Sequence, residues 1–258
     1  MKRRAWVFLL LLACGLIACQ AQTNDADGLL ESGKGHLAAG EYEEAIADFE
    51  AAVELKRDES EAHFLLGQSY YETGQLDKAK SQFITALTLN PDDASAHHNL
   101  GVTYLKQGDV ESARSQFEKA LEIDPDDPQT HYQLGMVYFL MALPQDGGAG
   151  SLDESFVAQA DAEFERALEL RENMPEALIG LGRVSIARRD YQAAIEYLER
   201  AIAQDATFPE AHYALGEAYA YRGEKENACQ AYHEFLEMDP PAAWAEQGQQ
   251  ALNALGCP

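Results

Sequence analysis

Basic residues are scarce in this sequence. The 258 residues include 19 Lys and Arg against 44 Asp and Glu, a formal net charge of −25. Affinity for duplex nucleic acid comes mainly from Lys and Arg neutralising phosphates, so this balance argues against a nucleic-acid binder. It argues equally against adsorption of a folded body onto an anionic membrane, while leaving room for a basic protein partner. A solvated acidic surface kept soluble by self-repulsion accounts for the charge without any partner. No stretch alternates polar and apolar residues as a strand does. Catalytic constellations are missing as well: there is no nucleophile elbow, no Cys/His metal cluster, and no acid pair beyond a solvated helix face. Gly28 to Gly35 nearly spells a phosphate-binding loop, yet it lacks the final Ser or Thr that binds magnesium, and no strand precedes it. Asp92-Asp93 and Asp126-Asp127 are turn residues without the spacing of a calcium loop. The expectation is a chain that is not an enzyme and carries no cofactor and no metal.

A conspicuous apolar run, Ala5 to Ala18, has 14 residues. A membrane-spanning helix needs about 20, whereas a signal-peptide core is shorter and follows positive residues, here Lys2, Arg3 and Arg4. The run ends in Leu16-Ile17-Ala18-Cys19, which resembles a bacterial lipobox: a branched apolar residue, a small residue, then the cysteine that takes the lipid. The reading is a signal peptide over 1–18, lipidation at Cys19 and a polar tether over 19–25. Plain secretion with cleavage near Ala18 or Ala21 is the alternative. Gln20 follows the cysteine where an Asp would favour inner-membrane retention, which implies the outer membrane. The expected location is the periplasmic face of a bacterial envelope, touching the membrane only through the lipid.

Beyond residue 25 the chain repeats itself. His63-Phe64-Leu65-Leu66-Gly67-Gln68-Ser69-Tyr70 recurs with an offset of 34 as His97 to Tyr104 and as His131 to Tyr138; a weaker copy runs from Leu178 to Ser185 and a good one from His212 to Tyr219. Each copy precedes a second apolar pattern: Ala79, Phe83 and Ala86 before Pro91; Ala113, Phe117 and Ala120 before Pro125; then Ala194, Leu198 and Ala201; then Ala228, Tyr232 and Phe235 before Pro240. Ala45, Phe49 and Ala52 continue a degenerate first copy. The spacings of three and four mark one face of a helix, and turn formers such as Thr73-Gly74 and Arg222-Gly223 separate the helices. Pro cannot extend a helix that precedes it. A unit of two helices cannot bury its own apolar face, so copies must stack.

This pattern resembles the tetratricopeptide repeat family. The resemblance implies an all-α fold, a right-handed α-solenoid of helix-turn-helix repeats with a C-terminal capping helix. Six repeats are expected at 26–59, 60–93, 94–127, 128–174, 175–208 and 209–242, with a cap and tail at 243–258. The fourth has 47 residues rather than 34, and aligning Phe164 with Phe117 places the insert at 143–155. Pro144, Gly147, Gly148 and Gly150 make it a loop, either a tolerated insertion or a flap beside the binding face. Cys229 lies near the start of the sixth repeat's second helix and Cys257 just past the cap. Helices that run back and forth bring the two together, so a disulfide pinning the cap is expected; two unpaired thiols are the alternative.

The column His63, His97, His131 and His212 invites a metal reading that geometry refuses. Equivalent positions in stacked repeats lie a helix-packing distance apart, about 8–10 Å, while zinc ligands all lie about 2 Å from one ion. In the tetratricopeptide family the first helices line a concave face. Carried over, this implies Glu61, Phe64, Gln68, Tyr71 and Glu72 in the second repeat, and His98, Val102, Leu105 and Lys106 in the third. It implies Tyr132, Met136, Phe139 and Leu140 in the fourth, Glu176, Ile179, Arg183 and Ile186 in the fifth, and Glu210, Tyr213, Glu217 and Tyr221 in the sixth. That face is unusually apolar and aromatic, and aromatic anchors are what hot spots are made of. The basic pairs with which some relatives grip a C-terminal carboxylate are missing. The expectation is a scaffold that holds another envelope protein or peptide in its groove, with an architecture that resembles the pilotin lipoproteins of type IV pilus systems. A self-assembling structural protein, using the groove or the solenoid ends, is the alternative.

Overall fold

The structure is a computed structural model that describes residues 25–144 and 152–257. The expected signal segment, Cys19 and the tether up to residue 24 lie outside the described residues, as do 145–151 of the expected insert. Among the described residues the chain is helical, with no strand. It divides into two compact units that meet in sequence between Ile123 and Asp124. The first holds α1 (25–39), α2 (Tyr42–Leu55), α3 (Ser60–Glu72), α4 (Leu76–Leu89), α5 (Ala94–Lys106) and α6 (Val110–Ile123). The second holds α7 (Pro128–Ala142), α8 (Glu154–Leu170), α9 (Pro175–Ala187), α10 (Tyr191–Gln204), α11 (Pro209–Arg222), α12 (Lys225–Glu237) and α13 (Ala242–Leu255). Consecutive helices pack on each other within each unit, and odd-numbered neighbours touch as well: α3 with α5, α7 with α9, and α9 with α11.

Helix boundaries follow from local chemistry. The side chains of Asp93, Asp127, Asp153 and Asp190 accept hydrogen bonds from the first backbone amides of α5, α7, α8 and α10, satisfying donors that have no partner inside the helix. Pro128, Pro175 and Pro209 open α7, α9 and α11 at the position where a missing N–H costs nothing. The turns inside helix pairs carry a residue in the left-handed region: Gly40, Gly74, Gly108 and Gly223 at φ of 76°, 74°, 81° and 80°. In the α9–α10 turn the same place is held by Arg189 at φ 63°.

The core of each pair is a bulky side chain, in most of them a ring, set against a missing one. Phe49, Phe83, Phe117 and Phe164 are fully buried. A Cβ built on Gly33, Gly67, Gly101 or Gly135 would lie 2.5–2.8 Å from the ring of its partner, closer than any real contact. In the α9–α10 and α11–α12 pairs, Leu198 and Tyr232 stand against Gly182 and Gly216 in the same manner. Alanines at 45, 79, 113, 194 and 228 are likewise fully buried where helices approach.

The histidine column is structural. In His97 the Nε2 donates to the Pro91 carbonyl at 3.1 Å while Nδ1 lies 2.8 Å from the Gln116 side-chain amide. His63 repeats this with Arg57 and Gln82. In the second unit a carboxylate replaces the amide, Glu163 for His131 at 2.6 Å and Glu234 for His212 at 3.1 Å. Each imidazole thus ties an odd helix to its even partner and to the preceding turn. Tyrosines tie one pair to the next. Tyr70 donates to Glu50, and Tyr219 donates to Glu199 at 2.6 Å. Burial, with the hydrogen bond adding to it, pushes each phenol up to about 12.

Two features depart from the expected outline. Glu154 and Ser155, expected in the insert, already form the first turn of α8 under the Asp153 cap, so the connection spans 143–153. Its ends are joined by a hydrogen bond from the Asp153 amide to the Ala142 carbonyl at 3.0 Å. A loop whose ends meet leaves the α7–α8 pair undisturbed however long it is. At the C-terminal end, Phe235 stands where α2, α4, α6, α8 and α10 carry an alanine, and Gly248 of α13 makes room for it; a Cβ there would lie 2.6 Å from the ring. Trp244 closes over Phe235 at 4.9 Å. A disulfide joins Cys229 to Cys257, with Cα atoms 5.8 Å apart, and Lys225 Nζ donates to the Gly256 carbonyl at 3.1 Å.

Three outcomes follow. Helix propensity alone favours alanine over glycine by about 1 kcal/mol, yet Gly101→Ala will lower the urea midpoint, because overpacking against Phe117 costs about 1–3 kcal/mol. Arg189→Gly will raise that midpoint, by a gain in stability of about 1 kcal/mol, since a side chain in the left-handed region costs roughly that much. Reducing the Cys229–Cys257 disulfide will cost about 2–4 kcal/mol, and hydrogen exchange will show α13 opening first.

Candidate functional site

The outward side of the odd-numbered helices carries the residues named from the sequence, and each unit arranges them differently. In the first unit Phe64 and His98 lie half-buried against the core rings, 5.9 Å from Phe83 and 5.6 Å from Phe117. Gln68, Val102 and Leu105 are half-buried on the same helices. The Lys106 ammonium sits 4.5 Å above the Tyr71 ring, and Lys34 pairs with Glu61 at 2.8 Å.

In the second unit α7, α9 and α11 converge on a pocket of about 110 Å³. Tyr132 and Met136 come from α7; Glu176, Ile179, Gly180 and Arg183 from α9; Phe208 and Glu210 from the start of α11. The floor is more deeply set than the sequence suggested. Phe139 and Ile179, expected as open anchors, are only 6% and 7% exposed, and Ile179 belongs to the core built on α9, α10 and α11. The Arg183 guanidinium lies 6.0 Å from the Phe139 ring and is itself exposed.

Electrostatics here are uneven. Burial pushes the Tyr132 phenol up, Glu176 and Glu210 push it further, and Arg183 opposes them. Burial also raises the Glu217 carboxyl, against the pull of Arg183. Tyr213 is raised by burial and then by Glu217. Arg183 thus shares the pocket with two carboxylates, Glu176 and Glu210. Further along α11, Tyr213 is committed to the cap, 5.2 Å from Phe235 and 5.7 Å from Trp244. Tyr221 is 62% exposed and stacks on Tyr191 at 5.2 Å.

The structure therefore brings Tyr132, Met136, Ile179 and Arg183 together, leaves Tyr221 as an exposed platform and gives Tyr213 a packing role. Sequence reasoning missed Phe208. It stands where 34-residue spacing puts Glu59, Asp93 and Asp127 before their helices, and that departure was its signal. A second cavity, of about 540 Å³, also escaped it. This one opens between α4, α5 and α6, and its walls include Ile84, Leu87, Tyr104 and Ile123. Ile84 occupies the place that Glu50 holds one repeat earlier. Among the described residues no group of three or more His, Cys, Asp or Glu could hold a metal ion, and no helix is long and apolar enough to cross a membrane.

Comparison with known proteins bears on the fold. Tetratricopeptide repeat models match residues 66–128 and 209–242, and a TPR repeat model matches 33–74 and 182–223. Among curated proteins no match is found. Among solved structures, Pseudomonas aeruginosa PilF is similar at 18% identity and a TM-score of 0.71, over 89% of this chain and 99% of that one. PilW, described as a type IV pilus biogenesis factor, is similar at 17% identity and a TM-score of 0.71, over 88% and 98%. YrrB, described as a TPR protein with an unusual peptide-binding site, is similar at 22% identity and a TM-score of 0.56, over 78% and 97%. At such identities the likeness is one of fold. The repeat models together span more than half of the chain, and with the stacked helix pairs they identify it: the protein belongs to the tetratricopeptide repeat family, whose members bind protein or peptide partners.

Proposed function

We propose that this protein is a lipid-anchored scaffold of a bacterial envelope, holding a partner protein or peptide on the odd-helix face of its repeats. The single observation that carries the reading is the pocket of Tyr132, Met136, Ile179 and Phe208 at the meeting of α7, α9 and α11. An apolar recess with aromatic side chains in its lining is the form that binding hot spots take. The exported, lipid-modified state rests on the positive start, the apolar run and Cys19 in that order. Likeness in fold to PilF and PilW over most of each chain supports a role in assembling an envelope structure of that type. Six repeats between tether and cap, ending at residue 242, are part of the same proposal.

Capture of partners from detergent-solubilised envelope tests it. The wild type is expected to recover a discrete protein, and Tyr132→Ala and Tyr221→Ala each to recover much less. Truncating a hot-spot residue costs about 2 kcal/mol, roughly 30-fold in affinity. Thermal melts establish that the variants fold. Equal recovery by wild type and both variants rules the face out as the binding surface. Light scattering across a concentration series separates the alternative, since a monomer at every concentration removes self-assembly.

A further inference from the structure

We propose that the pocket between α7, α9 and α11 takes a basic side chain flanked by an aliphatic one, so that the partner presents a Lys- or Arg-containing apolar stretch. This deepens the reading of the odd-helix face as the binding surface and rests on it.

The argument is one of shape and charge together. The recess of about 110 Å³ is too small for a helix to enter and suits one or two side chains. Its floor is apolar: Met136, Ile179 and Phe208, with Gly180 contributing no side chain because Phe164 fills the space behind it. Its rim is acidic. Glu176 and Glu210 line it beside Arg183. Among the described residues Arg183 makes no ion pair with any of them; it lies over Phe139 instead. Two carboxylates against one guanidinium leave a negative surplus at the rim, which an incoming ammonium or guanidinium neutralises while its aliphatic stem covers the apolar floor. On the first unit's face Lys34 already pairs with Glu61. An acidic partner would find one guanidinium against two carboxylates, in a chain of net charge −25.

Three synthetic peptides of equal length test the proposal, each alternating leucine with lysine, serine or glutamate. Their binding to the purified full chain is followed by fluorescence anisotropy. The lysine peptide is expected to bind at least about tenfold tighter than the serine peptide, with the glutamate peptide weakest and the gap narrowing as salt rises. The double variant Glu176→Gln/Glu210→Gln should erase that gap. The control pair Glu165→Gln/Glu172→Gln, which removes the same charge from exposed sites elsewhere in the second unit, should leave it intact. An equal loss in the control pair means diffuse attraction and overturns the proposal. Equal binding of lysine and serine peptides, abolished in both by Tyr132→Ala, overturns the charge inference and leaves the binding face standing. Binding that Tyr132→Ala does not touch, or no binding by any peptide, overturns both.

Discussion

A glycine on one helix meets a bulky side chain on the next at a distance that leaves no room for a Cβ, and the rest of the structure depends on that contact. Between Gly67 and Phe83, or Gly101 and Phe117, the missing side chain lets a whole ring be buried inside a two-helix unit. The ring's burial supplies the apolar area that a pair of helices this short otherwise lacks. It also fixes the rotation of each helix about its axis. Once Gly101 faces inward, His98, Val102 and Leu105 must lie toward the outer side of α5, and 34-residue spacing aligns them with Phe64, Gln68 and Tyr71 on α3. The binding face is thus a by-product of the core.

Polar ties then hold what packing has aligned. A histidine joins each of α3, α5, α7 and α11 to its partner and to the turn before it, by nearly identical geometry. The one systematic change is from Gln in the first unit to Glu in the second. The odd-helix faces differ too: Lys34 pairs with Glu61 in the first unit, while in the second Glu176 and Glu210 share a pocket with Arg183. Identical scaffolding therefore carries two surfaces of different character, and the pocket belongs to the second.

The C-terminal end answers a different constraint. A stacked array must stop without exposing the apolar side of its last pair. Here Phe235 takes the place of an alanine, Gly248 yields to it, and Trp244 and the Cys229–Cys257 disulfide hold α13 over both.

The helical architecture, the glycine and phenylalanine columns and the left-handed turns were legible in the sequence, because each arises from contacts within about 34 residues and so repeats at that period. Arg189 shows the limit of the pattern, since the turn imposes a glycine's conformation on a residue that local rules would not choose. The binding face was legible only as a set of positions. That Phe139 and Ile179 would be buried, that Phe208 would join the pocket, and that Arg183 would stand beside Glu176 and Glu210 was decided by tertiary structure. Those outcomes depend on how α7, α9 and α11 approach one another. The side chains concerned differ from repeat to repeat, so no periodicity in the chain announces how they meet.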